Sequence, residues 1–130
     1  MSLYLCVFDG EQEMEGVEVG SYTDFNELRS YIVRDLEGGA PGSLYPTLLL
    51  HSDCDGAWSH GECVRLRDEL RSIRAAMVER PPLVPAGGRS GPGPRSALDS
   101  FTDVDGQILI ERLQALVEVA VRRGRPILFQ

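Results

Sequence analysis

Residues 46–63 read PTLLLHSDCDGAWSHGEC, and this stretch sets the expected order of strand, loop and helix in the middle of the chain. The short apolar run at residues 48–50 predicts a strand that is buried on both faces. Ser59, with Glu62 three residues later, forms a capping box, which predicts the start of a helix. We expect the loop between them to carry function, because loops that leave buried strands often do.

The residues before this stretch predict two strands and a helix. Residues 3–8, LYLCVF, are nearly all apolar and indicate a central strand. Residues 17–19 alternate between apolar and polar side chains, which is typical of a short, half-exposed strand pairing back on the first. A helix that runs to about Glu37 is expected, with Thr23 or Asp24 as its cap and with its apolar side chains at helical spacing.

The residues after it predict two more helices. Apolar side chains recur at helical spacing between residues 60 and 79, at Cys63, Leu66, Leu70, Ile73 and Met77. Residues 81–97 are rich in proline and glycine and are expected to form a flexible loop. A short strand at 101–104, a helix at 107–123 and a final strand at 126–130 complete the prediction.

The predicted elements indicate one α/β domain. The 130 residues are enough for a single core, and too few residues follow the proline-rich loop to fold separately. The order β-β-α-β-α-(β)-α-β is typical of an α/β sandwich. We therefore expect a single domain over residues 1–130, with a mixed four- to five-stranded sheet packed by three helices.

The charge of the chain is unevenly distributed. The formal net charge is −7, and the first 28 residues hold seven acidic residues and no basic one. Such a segment repels nucleic acid and anionic lipid and attracts basic proteins. The alternative is a solvated face that only keeps the protein soluble.

The cysteines and the first residues indicate a compartment. The chain has three cysteines, an odd number, and Cys6 falls in a predicted core strand. The start, MSLYLCVFDGE, lacks the basic leader and cleavage site of a signal peptide. No apolar run approaches the ~20 residues that a membrane helix needs. We expect a reduced, cytoplasmic protein without structural disulfides or membrane contact.

The central stretch contains part of the ligand pattern of two kinds of metal site. His51, Cys54, His60 and Cys63 repeat the spacing His-x-x-Cys and supply ligands that structural zinc accepts. The two pairs are close together for such a site, and Cys63 lies on the buried stripe of its predicted helix. Ordinary packing is therefore favoured over zinc.

The calcium pattern is incomplete as well. Part of an EF-hand loop is matched by Asp53, Asp55, Gly56 and Glu62. Its first position would be His51, a poor ligand for a hard cation, and residues 103–106 repeat the pattern with Arg112 at the last position. Helix capping by acidic turns explains both segments better, so no metal or other cofactor is expected.

Catalysis has little support, and the role of Trp58 is open. Cys54 with His51 or His60 could pair a nucleophile with a base, but no third group orients them and no phosphate-binding glycine loop is present. We expect that the protein is not an enzyme.

Trp58, the only tryptophan, either packs on the core or is displayed as an anchor for a partner.

Four blocks of sequence resemble the immunity protein 70 family of bacterial polymorphic toxin systems. They are MSLYLCVFDG at 1–10, EVGSYTDFNELR at 18–29, LLLHSDCDGAWSHGEC at 48–63, and DVDGQILIERL through RGRPILFQ at 103–130. The resemblance covers nearly the whole chain except residues 81–95. It implies a non-enzymatic antidote that binds and neutralises a cognate toxin.

Charge suggests how such an antidote would bind. Toxins that act on nucleic acid tend to be basic, and carboxylates can occupy the places of phosphates on them. The candidate contacts are Asp9, Glu11, Glu13, Glu15, Glu18, Asp53, Asp55 and Glu62, with Trp58 as the anchor. If the strands before the two loops are parallel neighbours, both loops lie at one edge of the sheet. The alternatives are a zinc-stapled or regulatory binding domain using His51, Cys54, His60 and Cys63, and a small hydrolase that depends on Cys54.

Overall fold

The computed structural model describes residues 2–51, 56–83 and 95–130. The elements in chain order are β1 (Ser2–Asp9), β2 (Gln12–Ser21), α1 (Tyr22–Tyr31), α2 (Pro46–Leu49), β3 (Ala57–Trp58), α3 (His60–Val78), α4 (Leu109–Arg123) and β4 (Ile127–Phe129). A π-helical turn, Ile32–Leu36, extends α1, and a 3₁₀ turn, Leu98–Ser100, precedes α4. In the described ranges, no helix is long and apolar enough to cross a membrane.

The four strands form one sheet in the order β2-β1-β4-β3. The α/β prediction with a four-stranded sheet and three long helices is confirmed, as are the first two strands, the last strand and helices α1, α3 and α4 apart from their ends. The expected mixed sheet is wrong, because each pairing between the described strands is antiparallel. The segment that was expected to add a parallel neighbour is helical.

Helices α1, α3 and α4 share one core with the sheet. Leu3, Leu5 and Val7 of β1 are fully buried in this core, and Val17 of β2 pairs with Leu5 on the same face. The apolar stripe predicted for α3 is buried in the same cluster. Alternation along β1 therefore directs every second side chain toward the helices.

The strand expected at 48–50 is wrong, because Pro46–Leu49 forms one turn of helix. Proline is tolerated in the first turn of a helix, where its missing N–H would have no intrahelical partner. The N–H groups of Thr47 and Leu48 donate to the two carboxylate oxygens of Glu69 on α3, each over 3.1 Å. The helix is thus capped by a side chain about twenty residues away in sequence, which the local apolar run does not reveal.

The strand expected at 101–104 is also wrong, since only an isolated bridge joins Thr102 to Ile108. Asp103 accepts the N–H groups of Asp105 and Gln107, both over 2.9 Å, and so folds the segment into a turn. Strand β3 is not predicted by the sequence, because two residues show no periodicity. Of the predicted loop 81–97, residues 84–94 lie outside the described ranges, and the other residues form no helix or strand.

Replacing Glu69 should destabilise the protein. We expect Glu69→Ala to lower the free energy of unfolding by about 1–3 kcal/mol, because two N–H groups of α2 lose their acceptor. The measurement is urea unfolding followed by circular dichroism. Asp68→Ala is the matched control: the Asp68 side chain is 68% exposed, so the change should cost less than about 0.5 kcal/mol. Equal losses for the two variants would contradict the capping role of Glu69.

Candidate functional site

Most of the acidic candidates lie on the hairpin that joins β1 to β2. Asp9 ends β1, Gly10 and Glu11 form the two-residue turn, and Gln12 begins β2. Gly10 has φ 67°, a left-handed conformation that glycine adopts without strain and that tight hairpin turns require. The turn therefore brings the acids of β2 back alongside β1.

The strand register sorts these acids between the two faces of the sheet. Glu13 pairs with Phe8 and Glu18 pairs with Tyr4, whereas Glu15 pairs with Val7, which is buried under the helices. Paired residues of an antiparallel sheet point to the same face. Glu13 and Glu18 therefore point to the face that the core does not use, and Glu15 points toward the helices.

That second face, which we call the open face, is defined by Tyr4, Cys6, Phe8, Glu13, Gly16, Glu18, Ala57 and Leu128. One row of it, Gly16–Cys6–Leu128–Ala57, crosses all four strands through direct pairings. Its larger apolar side chains, Tyr4, Phe8 and Leu128, are not part of the core cluster, whereas Cys6 is fully buried. Tyr4, Phe8 and Leu128 are half-buried, while Glu13 and Glu18 are exposed.

The open face is acidic because the strands carry no basic residue. None of the four strands contains arginine, and the chain contains no lysine. In the described part of the chain, neither Glu11, Glu13 nor Glu18 forms an ion pair. Their negative charge is therefore not neutralised by an ion pair in the described residues and is available to a partner.

Tyr4 and Glu13 are joined at the centre of this acidic region. The Tyr4 hydroxyl donates to Glu13 Oε1 over 2.6 Å, and this bond, followed by burial, raises the pKa of Tyr4 to about 12. A side chain on Gly16 would collide with the Tyr4 ring, so the ring lies across β2 at this position. The absence of a side chain at residue 16 thus allows Tyr4 to reach Glu13.

Two of the predicted acids are instead paired with arginines of the same chain. The Asp9 carboxylate lies 3.4 Å from Arg123 Nη1 and 3.0 Å from Arg125 Nη2, which ties the end of β1 to the end of α4. Glu15 Oε1 lies 3.9 Å from Arg112 Nη2. These pairings reduce the charge that Asp9 and Glu15 present to a partner.

The free edge of β2 is contacted by α4 and by the turn that precedes it. Arg112 Nη2 donates to the carbonyl of Gly16 over 2.9 Å, and the Val104 N–H donates to the carbonyl of Glu18 over 3.2 Å. Arg112 is held by the buried carboxylate of Asp103, 3.3 Å from its Nε. These two edge carbonyls are therefore already hydrogen-bonded and less available to a partner strand.

The central stretch lies at the opposite edge of the sheet. Trp58 is only 1% exposed, and its indole N–H donates to the carbonyl of Thr47 over 2.9 Å, so the hypothesis that Trp58 is a displayed anchor is wrong. Its aromatic body finds a better environment in the core than in a polar loop. Phe129 lies against Trp58, with 4.8 Å between ring centroids, and also stacks on His51 at 4.3 Å.

Glu62 also has a local structural role. It completes the capping box of α3 with Ser59, and the hydrogen bond from the Ser59 N–H lowers the pKa of Glu62. Strands β1 and β4 separate β3 from β2, a span of about 14 Å at normal strand spacing. The expected placement of both loops at one sheet edge required parallel neighbouring strands, and this condition is not met because Pro46–Leu49 is helical. Asp53 and Asp55 lie outside the described residues, and their role stays a prediction.

The histidines and cysteines proposed as metal ligands or catalytic groups form no such site among the described residues. In the described ranges, no group of three or more His, Cys, Asp or Glu side chains could hold a metal ion, and Cys54 lies outside those ranges. His51 Nε2 lies 2.8 Å from the Ala57 carbonyl, to which it can only donate. Burial raises the pKa of Cys63 to about 11 and raises that of Cys6, so both thiols stay protonated and poorly nucleophilic at neutral pH.

The second EF-hand-like segment contacts the guanidinium group of Arg112 through Asp103. One carboxylate oxygen of Asp103 accepts two backbone N–H groups of its own turn, and the other faces Arg112. Asp103 is 6% exposed, so these bonds satisfy a buried charge. The helix capping expected of this segment is wrong, because α4 begins after Ile108 without a side-chain cap and Asp103 instead holds the turn before it.

The apolar part of the open face is not directly indicated by the amino-acid sequence. Tyr4, Phe8 and Leu128 fall in predicted strands that we expect to be covered on both sides. The available signal was the mixed size and polarity of every second residue in β1, where Tyr4 and Phe8 alternate with Leu3, Leu5 and Val7. This alternation identifies the open face only once the register of β2 and β4 against β1 is known.

The Tyr4 hydroxyl should titrate as a partner of Glu13. We expect Glu13→Gln to lower the pKa of Tyr4 from about 12 toward its ordinary value of 10.0, because removing the negative acceptor makes the phenolate less unfavourable. The measurement is tyrosinate absorbance against pH, with Tyr4→Phe identifying the contribution of Tyr4. Glu18→Gln is the control and should leave this pKa nearly unchanged. An unaltered pKa in Glu13→Gln would contradict the assigned hydrogen bond.

Comparison with known proteins identifies the family. The family model described as Immunity protein 70 matches residues 3–129 of the 130 residues. Comparisons with curated proteins and with solved structures found no match. The match spans both the hairpin and the C-terminal strand, and it confirms the resemblance noted in the sequence. The chain therefore belongs to the Immunity protein 70 family.

Proposed function

We propose that this protein is the antidote of a polymorphic toxin system, and that it neutralises a cognate toxin by stoichiometric binding through the acidic surface of its hairpin. Family membership supports the immunity role. The observation that carries the mode of binding is the set of exposed acids Glu11, Glu13 and Glu18, which have no cationic partner among the described residues. The expected partner is a basic protein domain.

Charge distribution supports a protein partner over nucleic acid or membrane. The chain has a net charge of −7, and its strands add acids without any base. Such a surface repels phosphates and anionic lipids, while it accelerates encounter with a cationic protein. Binding should therefore become weaker, chiefly through slower association, as the salt concentration rises.

Two other functions would make different predictions. A zinc-stapled regulatory domain would carry stoichiometric metal bound through Cys54 and the neighbouring histidines. A hydrolase using Cys54 would lose protection of the cell when that cysteine is replaced. An antidote that acts by binding needs neither metal nor thiol.

Co-expression tests the proposal directly. Cells that express the toxin domain encoded next to this chain's gene should grow when the chain is present at equal or higher amount and should die when it is absent. Protection should follow the molar ratio of the two proteins, because each antidote molecule occupies one toxin molecule. Cys54→Ala should protect as well as the wild type.

A toxin domain from an unrelated system is the control, and it should kill cells whether or not this chain is present. Failure of the wild-type chain to protect against the neighbouring toxin domain would overturn the proposed function. Protection at amounts far below the toxin would point to catalysis instead.

A further inference from the structure

We propose that the toxin docks on the open face of the sheet, and that this face receives an arginine-bearing surface whose guanidinium group stacks on Tyr4 between Glu13 and Glu18. This inference rests on the proposed function and specifies its surface. Glu13 is bonded to the Tyr4 hydroxyl, and Glu18 is paired across the strands with Tyr4. One aromatic ring is thus flanked by two carboxylates on one face.

The chemistry of this arrangement favours arginine. A guanidinium group is planar, stacks on an aromatic face and donates to carboxylates at the same time, whereas an ammonium group is a strongly hydrated point charge. The hydrogen bond of 2.6 Å to Glu13 and the passage of the ring across Gly16 hold Tyr4 in place before a partner arrives. Groups that are already ordered lose less entropy on binding.

The rest of the open face supplies the apolar part of an interface. Phe8 and Leu128 are half-buried and lie outside the core cluster, and Cys6 between them is fully buried. Protein interfaces are enriched in aromatic residues at an apolar centre that a polar rim surrounds. Here the apolar residues lie on β1 and β4, and the acids lie on the neighbouring edge strand β2.

Other surfaces fit a basic partner less well. The β2 edge is closed by Arg112 and Val104, which argues against addition of a partner strand there. A groove of about 360 Å³ beside α1 is lined by both Glu27 and Arg34 and so has no preference for a cation. The open face, by contrast, has acidic side chains and no basic one on its strands.

A second copy of this chain is a less suitable occupant of the open face. A symmetric dimer through this face would bring Glu13 and Glu18 of both copies into one desolvated region. Like charges across an interface are unfavourable, and no strand supplies an arginine to compensate them. The same acids attract a basic toxin surface, so charge complementarity selects the toxin.

The test is calorimetric titration of the purified chain with the toxin domain encoded next to its gene, carrying an inactivating substitution. Glu18→Arg should weaken binding at least about 100-fold, because an attractive charge becomes repulsive beside Tyr4. Glu118→Arg is the matched control: Glu118 is also exposed but lies on α4, and the same reversal there should change affinity less than about threefold. Tyr4→Ala should weaken binding at least about tenfold, with folding of each variant verified by thermal unfolding.

The possible results distinguish an error in the docking surface from an error in the proposed immunity function. If the wild-type chain binds and Glu18→Arg and Tyr4→Ala bind equally well, the open face is not the docking surface, although the immunity role stands. If the wild-type chain does not bind the toxin domain, the proposed function fails, and this inference fails with it. Sedimentation of the chain without toxin should give a monomer, and a dimer abolished by Glu18→Arg would overturn the assignment of the face to the toxin.

Discussion

All three long helices bury their apolar side chains against the same face of the four-stranded sheet, and this one-sided packing determines what the other face can do. Leu3, Leu5 and Val7 are drawn into the core, so the alternate residues of β1 must point away from it. Tyr4 and Phe8 therefore lie half-buried on the opposite face of the sheet, outside the core cluster. An antiparallel sheet can keep one face solvated, whereas a fully parallel sheet is usually covered on both.

The acids of the chain divide into those that organise the backbone and those that face outward. Glu37 is 7% exposed and accepts N–H groups of Gly42, Leu44 and Tyr45, which shapes the loop before α2. Glu69 caps α2, and Asp103 forms the turn before α4. Because buried carboxylates are stable only with such partners, the net charge alone overstates the number of acids that a partner can reach.

Local signals were sufficient for much of the fold. Helix α3 follows from its capping box and apolar stripe, and β1 follows from a continuous apolar run. The segment 48–50 was misassigned because a short apolar run does not distinguish a strand from a buried helical turn. The decisive partner, Glu69, lies on another element, so the helix depends on tertiary contacts that the local sequence does not contain.

The candidate site was predictable in part. The sequence identified the hairpin acids, but it could not separate Glu13 and Glu18 from Glu15, because that division depends on the register of β2 and its irregularity between Val7 and Phe8. A shift of one residue exchanges the two faces of a strand. The placement of Trp58 cannot be predicted for a related reason. The Thr47 carbonyl that accepts its indole N–H is in the right position only when α2 is formed.

The central claim is that the toxin covers the open face of the sheet. The most direct measurement is nuclear magnetic resonance of the isotope-labelled chain titrated with the unlabelled toxin domain. The account predicts that the largest changes in chemical shift occur at Tyr4, Glu13, Gly16, Glu18 and Leu128. Changes concentrated instead on the groove beside α1, at Asn26 and Ser30, with the strand residues unaffected, would contradict it.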